Sequence, residues 1–269
     1  MNIYLRIKRF LWLLSTLLFS VHGFAAISSP EQPWQDPSYI QKAFNEIALK
    51  NEYRATEGRI LKWKKPIRYE FVYHNLPKNP LIERLFNTHL QHLQTITKHP
   101  INQHKPHHFG KANLSIHLTP DQDYGQVIKS FSSHTIKDLE RKSHCMANFK
   151  RNRQNAIIQA QVVLPVDHVF SKGLLVSCIV EETTQILGLP NDASWVNPSI
   201  ANDATKVELL TGLDYLFLKI LYDKSLTAGL PYPQNQKTIQ RIIQKLNANG
   251  EIKDAGQTIN QSGLHPEIN

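Results

Sequence analysis

Along the chain, stretches with apolar residues at helical spacing alternate with short runs of β-branched and aromatic residues. Asp36-Pro37 reads as an N-cap followed by proline at the first helical position, and Ile40, Phe44 and Ile47 extend a helix to about Asn51. Ile67 to Tyr73 is a strand, broken by Asn75, Pro77 and Pro80. Ile82, Leu85, Phe86, Leu90, Leu93 and Ile96 share one face of a helix from Leu81 to about Lys98. A polar loop, His99 to His108, leads to an alternating strand from Asn113 to Leu118, and Met146–Phe149 and Ile157–Leu164 read as two more strands. A long apolar helix is predicted from about Lys172 to Leu187, stopped by Gly188 and Pro190. Thr211-x-x-Asp214 resembles a capping box for a helix ending near Tyr222. Ile239, Ile242, Ile243 and Leu246 mark a last amphipathic helix, and the polar end beyond Gly250 reads as loose.

This order predicts an α+β protein with a mixed sheet backed by helices. The segmentation is a signal peptide at 1–25, an N-terminal helical segment at 26–59, a main domain at 60–230, and a C-terminal helix with a loose tail at 231–269.

Composition narrows the class. The chain has 269 residues, 41% of them hydrophobic, with 11 glycines and 15 prolines, which excludes a disordered or collagen-like chain. Arg6, Lys8 and Arg9 precede an apolar run from Phe10 to Val21, and Gly23 and Ala25 suit cleavage after Ala25. That is a secretory signal peptide, leaving no stable membrane span after cleavage; an uncleaved anchor is the alternative. Its removal takes three of the charges and leaves +6 of the net +9. Periplasmic or extracellular localisation follows, with an envelope peptide, protein or polysaccharide as partner. Lys62, Lys64 and Lys65, and Lys150, Arg151 and Arg153, either meet anionic polymers or form a solvated face. No nucleic-acid fold signature accompanies them, so no nucleic-acid partner is expected. In an oxidising compartment Cys145 and Cys178 can form a disulfide; the alternative is two buried thiols.

One constellation carries candidate chemistry. The helix from Ser177 to Gly188 has apolar flanks with Glu181 and Glu182 in its middle. Glu181 and Gln185 are four apart and share a face, with Cys178 near the same side. Buried carboxylates must be paired, bind a cation, hold a proton or face a cleft. Repulsion between neighbours favours a proton on one, the setting of a general acid/base. Alternatively both glutamates face water on an ordinary helix.

Glu181-Glu182-Thr183-Thr184-Gln185-Ile186-Leu187-Gly188-Leu189-Pro190-Asn191 resembles the zinc helix of metzincin metallopeptidases, His-Glu-x-x-His-x-x-Gly-x-x-His. In that register Glu182 falls on the general base and Gly188 on the turn glycine, while Glu181, Gln185 and Asn191 replace the zinc histidines. Pro198 to Asn202 sits where metzincins make their methionine turn, with Ala201 in the methionine's place. Leu210 to Asp223 resembles the closing helix of matrix-type members. A closer likeness is to a domain-of-unknown-function family of exported bacterial proteins, with Cys-x-x-Glu-Glu-x-x-Gln-x-x-Gly-Leu-x-Asn-Asp, a Ser-Ile-x-Asn-Asp turn, Leu-Thr-x-x-Asp and Leu-Tyr-Asp. This chain matches at Cys178, Glu181, Glu182, Gln185, Gly188, Leu189, Asn191 and Asp192, then Ser199, Ile200, Asn202 and Asp203, and finally Leu210, Thr211, Asp214, Leu221, Tyr222 and Asp223. The resemblance covers about residues 60–230. It implies a zincin-like fold, a twisted sheet with one helix behind it and the site helix beneath.

Glu181, Gln185 and Asn191 offer oxygen or a weakly coordinating amide, a set ill suited to zinc. No cofactor is expected; if one binds, it is a divalent cation with oxygen ligands, with Asp192 as a further carboxylate. The leading reading is a degenerate peptidase domain that keeps its cleft for binding, with Glu181, Gln185 and Asn191 in a hydrogen-bond network. The alternative is a hydrolase using Glu181 and Glu182 as acid and base, with or without an oxygen-liganded metal, on an envelope peptide or polysaccharide. Adjacent helix positions diverge by about 100°, so Asp192, Asn202 or Asp203 would have to assist. His99, His104, His107 and His108 form a histidine-rich loop that either binds a transition metal or is simply polar. Trp195 either lines a cleft or packs.

Overall fold

The computed structural model describes residues 32–51, 58–105, 110–131, 143–202 and 204–268. The predicted signal peptide therefore lies outside the described residues, as do Asp203, His107 and His108.

Strand β2 (Ile67–Tyr73) alternates as its sequence dictates: Ile67, Tyr69 and Phe71 join the core, with Arg68 and Glu70 on the other face. Helix α2 (Pro80–Thr97) starts at Asn79, whose side chain accepts from the backbone N–H groups of Leu81 and Ile82. It ends where Lys98 turns left-handed and returns its N–H to the Gln94 carbonyl. Its apolar stripe, including Ile82, Phe86, Leu90 and Leu93, is buried in the core. The remaining strands are β1 (Lys62–Trp63), β3 (Ile101–Gln103), β4 (Leu114–Thr119), β5 (Met146–Arg151) and β6 (Ala156–Pro165). They form one mixed sheet in the order β1-β6-β4-β2-β3, parallel throughout, with β5 added antiparallel along β6. Parallel neighbours need crossovers, and α2 supplies the one from β2 to β3.

The two sheet faces differ in chemistry. Leu114, Ile116 and Leu118 on β4, with Ala160, Val162 and Leu164 on β6, join the main core. That core also holds residues of α2 and of α5 (Leu175–Gln185), which pack together. The opposite face carries Val163 and Met146, covered by Tyr124, Val127 and Ile128 of α3 (Asp121–Phe131). After β6, α4 (Val166–Lys172) leads into α5. Helix α6 (Gly212–Tyr222) follows a long loop, and α7 (Gln234–Ala248), α8 (Glu251–Asn260) and α9 (His265–Ile268) complete the chain.

Where the fold departs from the sequence reading, the reasons are physical. The helix expected from Lys172 to Leu187 is α5, which starts only at Leu175 because Gly173 adopts a left-handed conformation (φ 70°) that closes a separate, unexpected helix, α4, before it. The polar loop after His99 contains β3, an edge strand too short to show alternation. The end expected to be loose forms α8, whose Ile252, Ala255 and Ile259 are buried against the core at helical spacing. Helix α6 packs closely on it: a Cβ at Gly212 would lie 2.8 Å from the backbone nitrogen of Gly256.

Among the described residues no helix is long and apolar enough to cross a membrane. Cys145 and Cys178 are joined by a disulfide (Cα–Cα 5.9 Å), which is consistent with an exported protein.

Candidate functional site

Helix α5 is held at its C-terminal end by several independent bonds. The Trp63 indole N–H donates to the Ile186 carbonyl (2.8 Å) and the Tyr222 hydroxyl to that of Leu187 (3.0 Å), so carbonyls orphaned at the helix end find partners. Gly188 then turns the chain with φ 117°, and a Cβ there would lie 1.9 Å from the Leu61 carbonyl oxygen. Only glycine fits this approach. The turn returns Asp192 to the helix face that carries Glu181 and Gln185.

The resulting cluster is small. The Gln185 amide nitrogen lies 3.3 Å from Glu181 Oε1 and 3.4 Å from each oxygen of Asp192. One amide thus bridges two carboxylates, with long bonds. Glu181 and Gln185 line a pocket together with Ile47, Leu189, Ile200 and Ala201. Ala201 therefore sits against the site helix.

Glu182 lies elsewhere. Its side chain is buried (5% exposed), so the alternative of two water-facing glutamates does not hold. It lies within electrostatic reach of Tyr124 on α3: burial pushes the Tyr124 phenol up, and the charges of Glu182 and Asp121 push it further up. The helical phase separates Glu181, which meets Gln185, from Glu182, which is buried.

The remaining candidates have structural bonds. Asn191 donates to the carbonyls of Glu46 (3.1 Å) and Asp192 (3.0 Å), stitching the loop to α1 (Pro37–Leu49). Asn202 donates to the carbonyls of Ser194 and Val196 and accepts from Ala204 N–H, which closes its own loop. Neither joins the Glu181–Gln185–Asp192 cluster. Trp195 packs edge-on against Tyr39 with Lys42 over its ring, and it is not among the residues lining the pocket. His99 bonds the Lys65 carbonyl and packs on Tyr222.

Two features escape the sequence reading. Asp214 does more than cap α6: its carboxylate also accepts from the Ser199 hydroxyl (2.6 Å) and Ile200 N–H (3.2 Å), clamping the turn that carries Ala201. Burial pushes this carboxyl above its usual range, while the bonds from Ser199, Thr211 and Ile200 pull it down. Lys62 is the second: its ammonium donates to the carbonyls of Leu221, Asp223 and Leu226 and caps the end of α6. Burial lowers its pKa to about 8, against the attraction of Asp223.

Residues 37–241 match a family described as "Protein of unknown function (DUF2927)". The chain belongs to that family. The match spans the site helix of this DUF2927 domain, the Asp214-clamped turn and α6. No curated protein and no solved structure matches the chain.

Proposed function

We propose that this DUF2927 protein is an exported cell-envelope protein, with a metallopeptidase-like domain that has exchanged its zinc cage for a hydrogen-bonded cluster and uses the cleft to bind. The observation that carries this reading is the Gln185 amide, which lies between Glu181 and Asp192; Glu181 and Gln185 are the residues that the metzincin register aligns with the first two zinc histidines. A sheet with α2 and α5 packed in the core on one face, the Gly188 turn, and Ala201 against the site helix are the features a zincin-like scaffold calls for.

The donor set does not fit zinc. The two carboxylates are hard oxygen donors, Gln185 turns its amide N–H toward both of them, and the third histidine position, Asn191, bonds backbone carbonyls instead. Among the described residues no group of three His, Cys, Asp or Glu side chains could hold a metal ion. An acid/base hydrolase requires Glu181 and Glu182 to act on one bond, yet they have different surroundings. The partner of this reading is an envelope peptide, protein or polysaccharide.

The test is turnover. Full-length protein and its Glu182→Gln variant are incubated with a peptide mixture and with peptidoglycan, with and without Zn²⁺, Mn²⁺ or Ca²⁺, and the products are read by mass spectrometry. A binding domain gives no product in either. Product from wild type that vanishes in Glu182→Gln, with the fold intact, overturns the reading in favour of a hydrolase.

A further inference from the structure

The sheet face opposite α5 holds a second feature, away from the site helix. Register fixes which side chains share it. Asn148, Gln161, Ser115 and Glu70 lie in one row across β5, β6, β4 and β2. Two residues along, Lys150 opposes Gln159, and Arg68 opposes Asn102 on β3. Across β5 to β2 each row spans three strand spacings, about 14 Å, and the rows are about 7 Å apart. Helix α3 covers Met146 and Val163 at the upper end of this face. Below it the side chains of both rows are half-exposed or exposed.

The bonding within this patch is sparse. Ser115 donates to Glu70 (3.2 Å), and among the described residues the Arg68 guanidinium bonds only the Lys111 carbonyl. The amides of Asn148, Gln159 and Gln161 hydrogen bond to no described residue, and neither Arg68 nor Lys150 is in an ion pair with one. Exposed Lys111 and Arg151 adjoin it. A sheet face turned to solvent usually carries short polar or charged side chains; here it presents amides, each both donor and acceptor, with cations at its lower edge.

We propose that the lower half of this face docks an acidic polysaccharide, its hydroxyls bonded by Gln159, Gln161 and Asn148 and its acid groups by Lys150 and Arg68. The amide rows match a partner dense in hydroxyls. Among the described residues the rows hold no aromatic anchor of the kind that dominates protein interfaces and no stacking platform for bases; the exposed apolar side chain next to Gln159 is that of Ile158. The cations outnumber Glu70, whose carboxylate already accepts from Ser115, so charge complementarity favours an anionic chain over a neutral one.

The experiment titrates the full chain with polygalacturonate, with neutral dextran and with polyglutamate, by fluorescence at low and moderate salt. Polygalacturonate is expected to bind, dextran not to, and polyglutamate to bind at least tenfold more weakly. Lys150→Ala and Gln161→Ala should each weaken polygalacturonate at least tenfold with an unchanged thermal midpoint, and Lys150→Ala should flatten the salt dependence. Glu182→Gln should bind as wild type does, so this surface stands or falls separately from the site helix. Absence of polygalacturonate binding, equal binding of dextran or polyglutamate, or wild-type affinity in both surface variants would each overturn the proposal.

Discussion

The fold should lose stability steeply in mild acid, because three histidines are buried in their neutral form. His89 (1% exposed) lies on α2 in the core, and burial lowers its pKa from 6.5 to about 3, helped by neighbouring His92. His92 is lowered to about 4 by burial and by His265, and His117 to about 4 by burial and by His74. The folded values lie below the unfolded value of 6.5, so the unfolded chain binds more protons as pH falls. The stabilisation is whole above pH 6.5 and is lost as pH falls toward 4. Near pH 5 the unfolded chain takes up close to three extra protons, a slope of roughly 4 kcal/mol per pH unit. Between pH 7 and 5 the loss is then roughly 5 kcal/mol, comparable with the whole stability of many domains. Urea denaturation followed by far-UV circular dichroism at pH 7, 6 and 5 measures it. His89→Leu, which keeps the site apolar, should remove about a third of the slope. Equal stability at pH 7 and 5, or an undiminished slope in His89→Leu, would refute the assignment of buried neutral histidines.

Further expectations follow from single contacts. Gly188→Ala forces a Cβ to 1.9 Å from the Leu61 carbonyl at φ 117°, and should cost roughly 3 kcal/mol or more by thermal denaturation. A loss below 1 kcal/mol, on the order of an ordinary surface change, would mean that the turn relaxes freely. Asp214→Ala strands the Ser199 hydroxyl and the backbone N–H groups of Ile200 and Thr211, and should cost roughly 3 kcal/mol by urea denaturation, with Asp214→Asn costing less. Equal losses in the two variants would show that the oxygen acceptor is not what matters. The disulfide closes a loop with a sequence separation of 33, so paired Cys145→Ser and Cys178→Ser substitutions should lower stability by roughly 3–4 kcal/mol. An unchanged denaturation midpoint would count against it.

Local signals made much of this fold legible. Strand β2 is readable to its ends because alternation runs to Tyr73 and Asn75, Pro77 and Pro80 stop it. The α6 capping box is likewise written in Thr211 and Asp214. Helix α3 is missed although Tyr124, Val127, Ile128 and Phe131 have helical spacing, because Gly125 and the polar residues between them dilute the pattern. In the site, the sequence pairs Glu181 with Gln185 but cannot say which glutamate meets which neighbour. That depends on the phase at which Cys178, Ile179 and Val180 seat α5 in the core, a tertiary property. Asp192 enters through the Gly188 turn, and the influence of Glu182 on Tyr124 of α3 is likewise a tertiary property. The amide rows needed the register of four strands before they became one surface.

The claim that organises the site is that Gln185 bridges Glu181 and Asp192 in place of a catalytic metal. Elemental analysis of full-length protein, purified without a metal-affinity column or chelator, tests it most directly when wild type and Glu181→Ala are measured together. A hydrogen-bonded cluster predicts no stoichiometric metal in either protein. Near-stoichiometric metal in wild type that is lost in Glu181→Ala would contradict it and make the site a metal centre.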